Sequence, residues 1–198
     1  MMVFLAAFIT ISLMILLTAL YVGAEFATVA ARRTRVGQMA AQGDAAARML
    51  LPFLEDSRKL DRYVAACQVG ITISSLVLGA YAQGAIATRL AGPLGDLLGS
   101  VMSATAAARL GQSISVIGVL IFITALQVIL GELLPKSLAI QNPEGVARAV
   151  VWPMRISLLL FALPIWFFNG SATLLLRLAG RDPRGLRPGA LTGRDRTA

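Results

Sequence analysis

Three long apolar runs decide what this chain can become. They cover residues 3–31, 63–90 and 113–134. Each exceeds or matches the roughly 20 apolar residues that carry a helix across a bilayer. Mean hydropathy is +0.76, and 57% of the 198 residues are hydrophobic. A soluble domain carries about half apolar residues. Spanning segments must satisfy their backbone groups internally. The expected fold class is therefore an all-α membrane protein with at least three transmembrane helices. Residues 3–31 read as the first span and not as a signal peptide, because no basic residue precedes the run and it continues past Glu25.

Charge gives direction to the spans. The net charge is +8, and Arg32, Arg33, Arg35, Arg48, Arg58, Lys59 and Arg62 crowd the segment between spans one and two. Basic residues mark cytoplasmic segments. The reading is an N-terminus outside and a C-terminus in the cytoplasm of a bacterial inner membrane. Nucleic-acid binding is excluded, since the charges flank apolar spans and no aromatic stacking platform accompanies them. Cys67 is the only cysteine, so no intrachain disulfide forms and a buried inert thiol is expected. The chain has no histidine. Any metal site must use carboxylate, hydroxyl, amide or backbone oxygens, which suits hard cations such as Mg²⁺.

Shorter segments fill the gaps. Residues 36–62 read as two short amphipathic helices at the membrane face, broken at Gly43-Asp44 and again at Pro52. Residues 91–112 read as an external loop, on Gly92-Pro93, Gly95 and Gly99, followed by a weakly helical stretch. Residues 156–178 are apolar but hold Pro164 and Asn169-Gly170. Hydropathy leaves open a fourth span or a broken helix along the membrane face. Residues 179–198 read as a disordered tail or linker.

The polar residues inside the spans form stripes. Gln68, Thr72 and Ser75 share one face of span two, with Ser74 beside it. Thr124, Gln127 and Gly131 share a face of span three, with Glu132 at its edge; Glu25, Thr28 and Arg32 do so on span one. Such stripes are expected to turn inward, towards one another or a water-filled cavity. Taken singly, the hydroxyls also suit plain helix packing, as do the small pairs Gly70/Ser74 and Ser75/Gly79. Glu25 lies where Arg32 or Arg33 can neutralise it. An ionised Glu132 costs at least about 2.5 kcal/mol at the centre of a span. Pro135 has no N–H for the Gly131 carbonyl four residues back. A freed carbonyl beside a carboxylate is a ready cation ligand set; the plainer alternative is a kinked end with a Glu132–Lys136 pair.

Three stretches in register carry a family resemblance: "YVGAEFATVAARRTRV" (21–36), "ACQVGITISSLVLG" (66–79) and "GELLPKSLA" (131–139), with "QNPEGVA" (141–147) after them. Over roughly residues 3–165 the chain resembles the transmembrane domain of the CorC/cyclin M (CNNM) family of magnesium transporters. The resemblance implies that three is the full number of transmembrane helices, together with a homodimer, a cytoplasmic helix-turn-helix between spans one and two, and a C-terminal belt helix over 143–178. It also implies Mg²⁺ transport, with Na⁺ as coupling ion and export as the direction. Glu132 and the Gly131 carbonyl are then the expected metal ligands, with Ser74 or Ser75 assisting. Glu25 is expected at the counter-ion or gate, and Thr28, Gln68, Thr72, Thr124 and Gln127 along the pathway. Pro135, Lys136 and Gly70 are expected in gating or structural roles. Serines that many relatives carry on span one are Val22 and Ala24 here, and Ile71 and Ser75 stand for asparagines of span two. A nucleotide-binding CBS module is expected in relatives, and no residues here resemble one.

Two other functions fit less of the chain. A membrane protease needs a nucleophile beside a base, and only Lys136-Ser137 offers one, as adjacent residues that diverge on a helix. The expectation is therefore no enzyme. A non-transporting sensor or accessory subunit of cation homeostasis has the same binding site as a transporter and stays open on sequence.

Overall fold

A computed structural model of the chain describes residues 2–100 and 103–179, without the side chains of residues 2–4, 168, 169, 172, 173, 176 and 177. The expected tail from residue 180 onward lies outside the described residues. No strand occurs among the described residues, and three helical runs are long and apolar enough to cross a membrane: Leu5–Ala30, Ser57–Leu98 and Ala104–Gln141.

Span one is α1 (Met2–Ala30). At Arg32 the backbone turns extended, and α2 (Arg33–Ala41) begins. Its end is a Schellman turn. Gly43 takes φ +100°, the Gly43 N–H reaches the Ala40 carbonyl (3.2 Å) and the Asp44 N–H reaches the Met39 carbonyl (3.1 Å). Glycine meets that left-handed position without a Cβ penalty. Asp44 then caps α3 (Ala45–Glu55), its carboxylate accepting from the Ala47 N–H at 2.9 Å. The expected second break is misplaced: α3 runs through Pro52 and stops at Asp56, which caps α4 through the Arg58 N–H (2.9 Å).

Span two begins earlier than hydropathy suggested and continues further. α4 (Ser57–Ala82) passes through a π-helical turn (Gln83–Ala87) into α5 (Thr88–Leu98). Side chains take up carbonyls in that turn: Thr88 Oγ1 donates to Gly84 (2.7 Å), Arg89 to Ala85, and Ser115 from span three to Ala87. The expected external loop over 91–112 is therefore corrected, because most of it is helix. α6 (Ala104–Leu126) folds back on α5 as a hairpin. Of the glycines that suggested a loop, Gly95 serves close approach to α6 instead, opposite Gly111, whereas Gly92 meets nothing within 4 Å. A Cβ on Gly111 would meet the Gly95 nitrogen at 2.6 Å and the Ala91 carbonyl at 2.9 Å.

Span three continues from α6 through a second π-helical turn (Gln127–Leu133) into α7 (Leu134–Gln141). Pro135 thus does not end the helix. The π-helical turn stands just before it, and the Leu134 N–H reaches back five residues to the Ile129 carbonyl. Asn142 caps α8 (Pro143–Leu160) through the Gly145 N–H (3.1 Å). The next break falls at Phe161, and α9 (Ala162–Leu178) runs on through Pro164 and Asn169-Gly170.

α4 crosses α1 in antiparallel order, so Thr18 meets Ser74 and Tyr21 meets Gly70. Span three runs parallel to α1, with Gly131 on Thr18 and Pro135 on Gly23. Three buried clusters follow this plan. One joins α1, α4 and α6 around Ile15, Leu78 and Val119. A second joins α1, α4, α8 and α9 around Tyr21, Tyr63, Met154 and Phe161. The third packs Val36, Leu50, Ala139 and Val151 between α2, α3, α7 and α8 at the basic end. Outward-facing residues such as Phe8, Leu16, Leu76, Phe122 and Leu159 are exposed, as a lipid-facing surface requires.

Candidate functional site

The three spans bring some of their polar residues together around the second π-helical turn: Thr18 of span one, Ser74 and Ser75 of span two, and Gln127 of span three. Single π turns inside α-helices cluster at functional sites. Gly131 is buried in this turn, and a Cβ there would touch the Thr18 methyl (3.4 Å) and Gln127 Cγ (3.5 Å). Gln127 donates from Nε2 to the Ser75 hydroxyl across the gap to span two. Thr18 Oγ1 lies 3.1 Å from Ser74 Oγ. Ser74 gives its own proton to the Gly70 carbonyl (2.6 Å), so its oxygen accepts from Thr18. Ser74 is buried and Ser75 half-buried. Ser74 therefore ties spans one and two together, while Ser75 is the hydroxyl with access.

Glu132 follows Gly131 on the same turn and is half-buried. Among the described residues it takes part in no ion pair. The alternative Glu132–Lys136 pair is absent there: Lys136 Nζ sits over the Phe26 ring, 4.5 Å from its centroid.

A second polar group lies nearer the basic end. Gln68 of α4 faces the Glu25 carboxylate, with Cys67 beside it. The expected neutralisation of Glu25 by Arg32 or Arg33 is corrected. Among the described residues Glu25 takes part in no ion pair, and Arg33 pairs with Glu55 (3.4 Å) instead. Deeper in the same interface Thr28 and Tyr63 bring their hydroxyls together, fully buried, and neither completes a hydrogen bond of good geometry.

The inward turn of the stripes holds only in part. Gln68, Thr72 and Thr124 are exposed on the surface of the chain. Thr72 bonds its own helix at the Gln68 carbonyl (2.8 Å). The reason lies in α4: the residues it buries against α1 are Tyr63, Ala66, Cys67, Gly70, Ser74 and Leu78. That face holds several small residues and lies about 140° around the helix from the Gln68 stripe. Gly70 makes the close approach possible, since a Cβ there would stand 2.5 Å from the Tyr21 ring. Tyr21 in turn bonds Ser157 of α8 (3.0 Å).

Thr18 was missed on sequence. It lies one heptad before Glu25, hence on the same helical face, and that spacing was the available signal.

The transmembrane N-terminal domain model of cyclin M proteins matches residues 8–190 of this sequence. The chain belongs to the cyclin M family. It is 36% identical to UPF0053 protein YhdT of Bacillus subtilis over 182 residues, covering 92% of this chain and 37% of that protein. UPF0053 protein YhdP of the same organism is 36% identical over 179 residues, covering 88% and 37%. A polyamine export protein of Haemophilus influenzae is 26% identical over 165 residues, covering 83% and 36%. The chain thus spans little more than a third of the length of these relatives. Family and helices together make it a membrane protein.

Proposed function

We propose that this chain is the membrane domain of a cation transporter, with Mg²⁺ as cargo and Na⁺ as coupling ion, working by alternating access and exporting Mg²⁺. The observation that carries the reading is the convergence of all three spans on the π-helical turn at Gly131 and Glu132. The buried Gly131 of span three packs on Thr18 of span one, the Gln127 amide bonds the Ser75 hydroxyl of span two, and Glu132, next in the same turn, takes part in no ion pair among the described residues. Among the described residues no three acidic, cysteine or histidine side chains gather. One carboxylate with neutral oxygens and retained water is the way proteins usually hold Mg²⁺, and it lets a cargo ion leave. In this reading Glu132 and the Gly131 carbonyl hold the ion and Ser75 assists, with Ser74 behind it. Glu25 and Gln68 form a station towards the basic end, and Gln127, Thr72 and Thr124 line the path.

Exposed Gln68, Thr72 and Thr124 at bilayer depth favour a second copy of the chain. A homodimer facing its partner across a two-fold axis would cover these polar groups. The basic end faces the cytoplasm of a bacterial inner membrane, with the N-terminus outside. The protein is read as a transporter and not as an enzyme.

A second cargo follows from the relative named for polyamine export. Glu25 and Glu132 are separate acids without ion-pair partners among the described residues, which suits a polyamine with spaced charges. Flux into proteoliposomes decides, with a Mg²⁺-sensitive dye and labelled spermidine compared under Na⁺ gradients of both signs. Na⁺-driven Mg²⁺ flux without spermidine flux is expected. Spermidine flux alone replaces the first cargo with the second, and no flux of either from folded protein favours a sensor or accessory subunit.

A further inference from the structure

A cavity of about 560 Å³ opens at the basic end, away from the π-helical turn. Three elements build it. α3 supplies Arg48 and Phe53, the first turns of α4 supply Lys59 and Arg62, and α8 supplies Arg155 and Leu159. Four cations therefore surround one apolar hollow, and no carboxylate lines it. None of the four is in an ion pair among the described residues. Arg48 Nε donates to the Ala40 carbonyl (3.3 Å), and Arg155 reaches only Met49 Sδ (3.4 Å). Of the neighbouring acids, Glu55 pairs with Arg33 and Asp56 caps α4, while Asp61, next to Arg62, is exposed and does not line the hollow. All four are exposed, so solvent screens much of their mutual repulsion, and an anion seated among them lowers it further.

The hollow continues into an apolar strip. Ile156, Leu159, Leu160 and Leu163 are exposed in a row from α8 into α9, with Trp152 and Trp166 at its ends. Tryptophans of this kind sit at headgroup level in membranes. A soluble anion would use the cations and leave the strip bare. An anionic phospholipid uses both: its phosphate meets the guanidinium groups and its acyl chains cover the strip.

We infer that the Arg48/Lys59/Arg62/Arg155 cavity is a binding site for an anionic phospholipid. The lipid fastens α3 to α4 and α8, so it acts on the junction between the short helices and the spans.

Lipid retained by the purified chain tests this. Protein is taken from bilayers of phosphatidylcholine mixed with phosphatidylglycerol, and bound lipid is read by native mass spectrometry. Wild type is expected to keep phosphatidylglycerol in preference to phosphatidylcholine. Arg62→Gln/Arg155→Gln is expected to weaken that retention at least about tenfold. The charge-matched pair Arg32→Gln/Arg58→Gln, at the same end but outside the cavity, is expected to leave it unchanged. Glycerol phosphate, which has no acyl chains, is expected not to displace the lipid. Equal retention of both lipids by wild type overturns the proposal. So does equal loss in the two variant pairs, which means diffuse surface charge, or displacement by glycerol phosphate, which means a soluble-anion site. Should the cavity pair unfold, Arg62→Gln and Arg155→Gln alone give the same comparison.

Discussion

Substituting Gly70 by alanine probes the closest contact between spans one and two. The new Cβ would stand 2.5 Å from Tyr21 Cε2 and 2.6 Å from Cδ2 and Cζ. The ring cannot step aside cheaply. Tyr21 is buried, packs against Phe161 at 6.1 Å between centroids, and bonds Ser157. Relief therefore requires α1 and α4 to separate. Overpacking of this kind costs about 1–3 kcal/mol, and losing the Tyr21–Ser157 bond adds about 1 kcal/mol. The expected total is about 2–4 kcal/mol. Reversible unfolding in mixed micelles reads it, with Tyr21→Phe isolating the hydrogen bond at about 1 kcal/mol. Removing the ring should rescue the clash, so Gly70→Ala/Tyr21→Ala should cost clearly less than the sum of its parts. A Gly70→Ala protein within about 0.5 kcal/mol of wild type, inside the ordinary additivity error, would refute the packing argument.

Other sites give shorter tests. Thr18→Val keeps the volume and removes the hydroxyl that reaches Ser74; it should cost about 1 kcal/mol in the same unfolding assay, and a change above twice that would mean Thr18 does more than link two helices. Glu144 is buried, accepts the Arg32 N–H and pairs with exposed Arg35 at 3.8 Å. Glu144→Ala should loosen α2 from α8 by about 1–2 kcal/mol, between the values for exposed and buried pairs, and speed proteolysis within residues 33–44; unchanged cleavage would contradict it. Gly111→Leu should open the α5–α6 hairpin, since even a Cβ meets backbone at 2.6 Å. A cysteine pair placed across the hairpin should then cross-link more slowly, and an unchanged rate would count against the packing.

The three spans were legible because a long apolar run has few other destinations than a membrane. Their ends were not. Gly92-Pro93, Gly95 and Gly99 signal a loop in a soluble chain, but in a membrane hairpin glycine also permits backbone contact, as at Gly95 and Gly111. Pro52, Pro135 and Pro164 were read as breaks or kinks, and helices continue through all three. At Pro135 a π-helical turn just before it absorbs the irregularity. Such turns have no simple periodic signature, so that preceding span two's outer arm went unseen. Helical spacing puts Ser75 on one stripe and Gln127 and Gly131 on another, and Ser75 and Gln127 do meet across spans two and three. The exposure of Gln68, Thr72 and Thr124 was not legible, because spacing shows that residues share a face but not which neighbour the face meets.

The central claim is that the turn carrying Gly131 and Glu132 is where the cargo cation is held. The direct measurement is Na⁺-driven Mg²⁺ flux in proteoliposomes for wild type, Glu132→Gln and Glu55→Gln, each reconstituted as folded protein. Glu55 is an exposed acid paired with Arg33, away from the spans' shared centre. The account predicts flux in wild type and Glu55→Gln and its loss in Glu132→Gln. Undiminished flux in Glu132→Gln would contradict it.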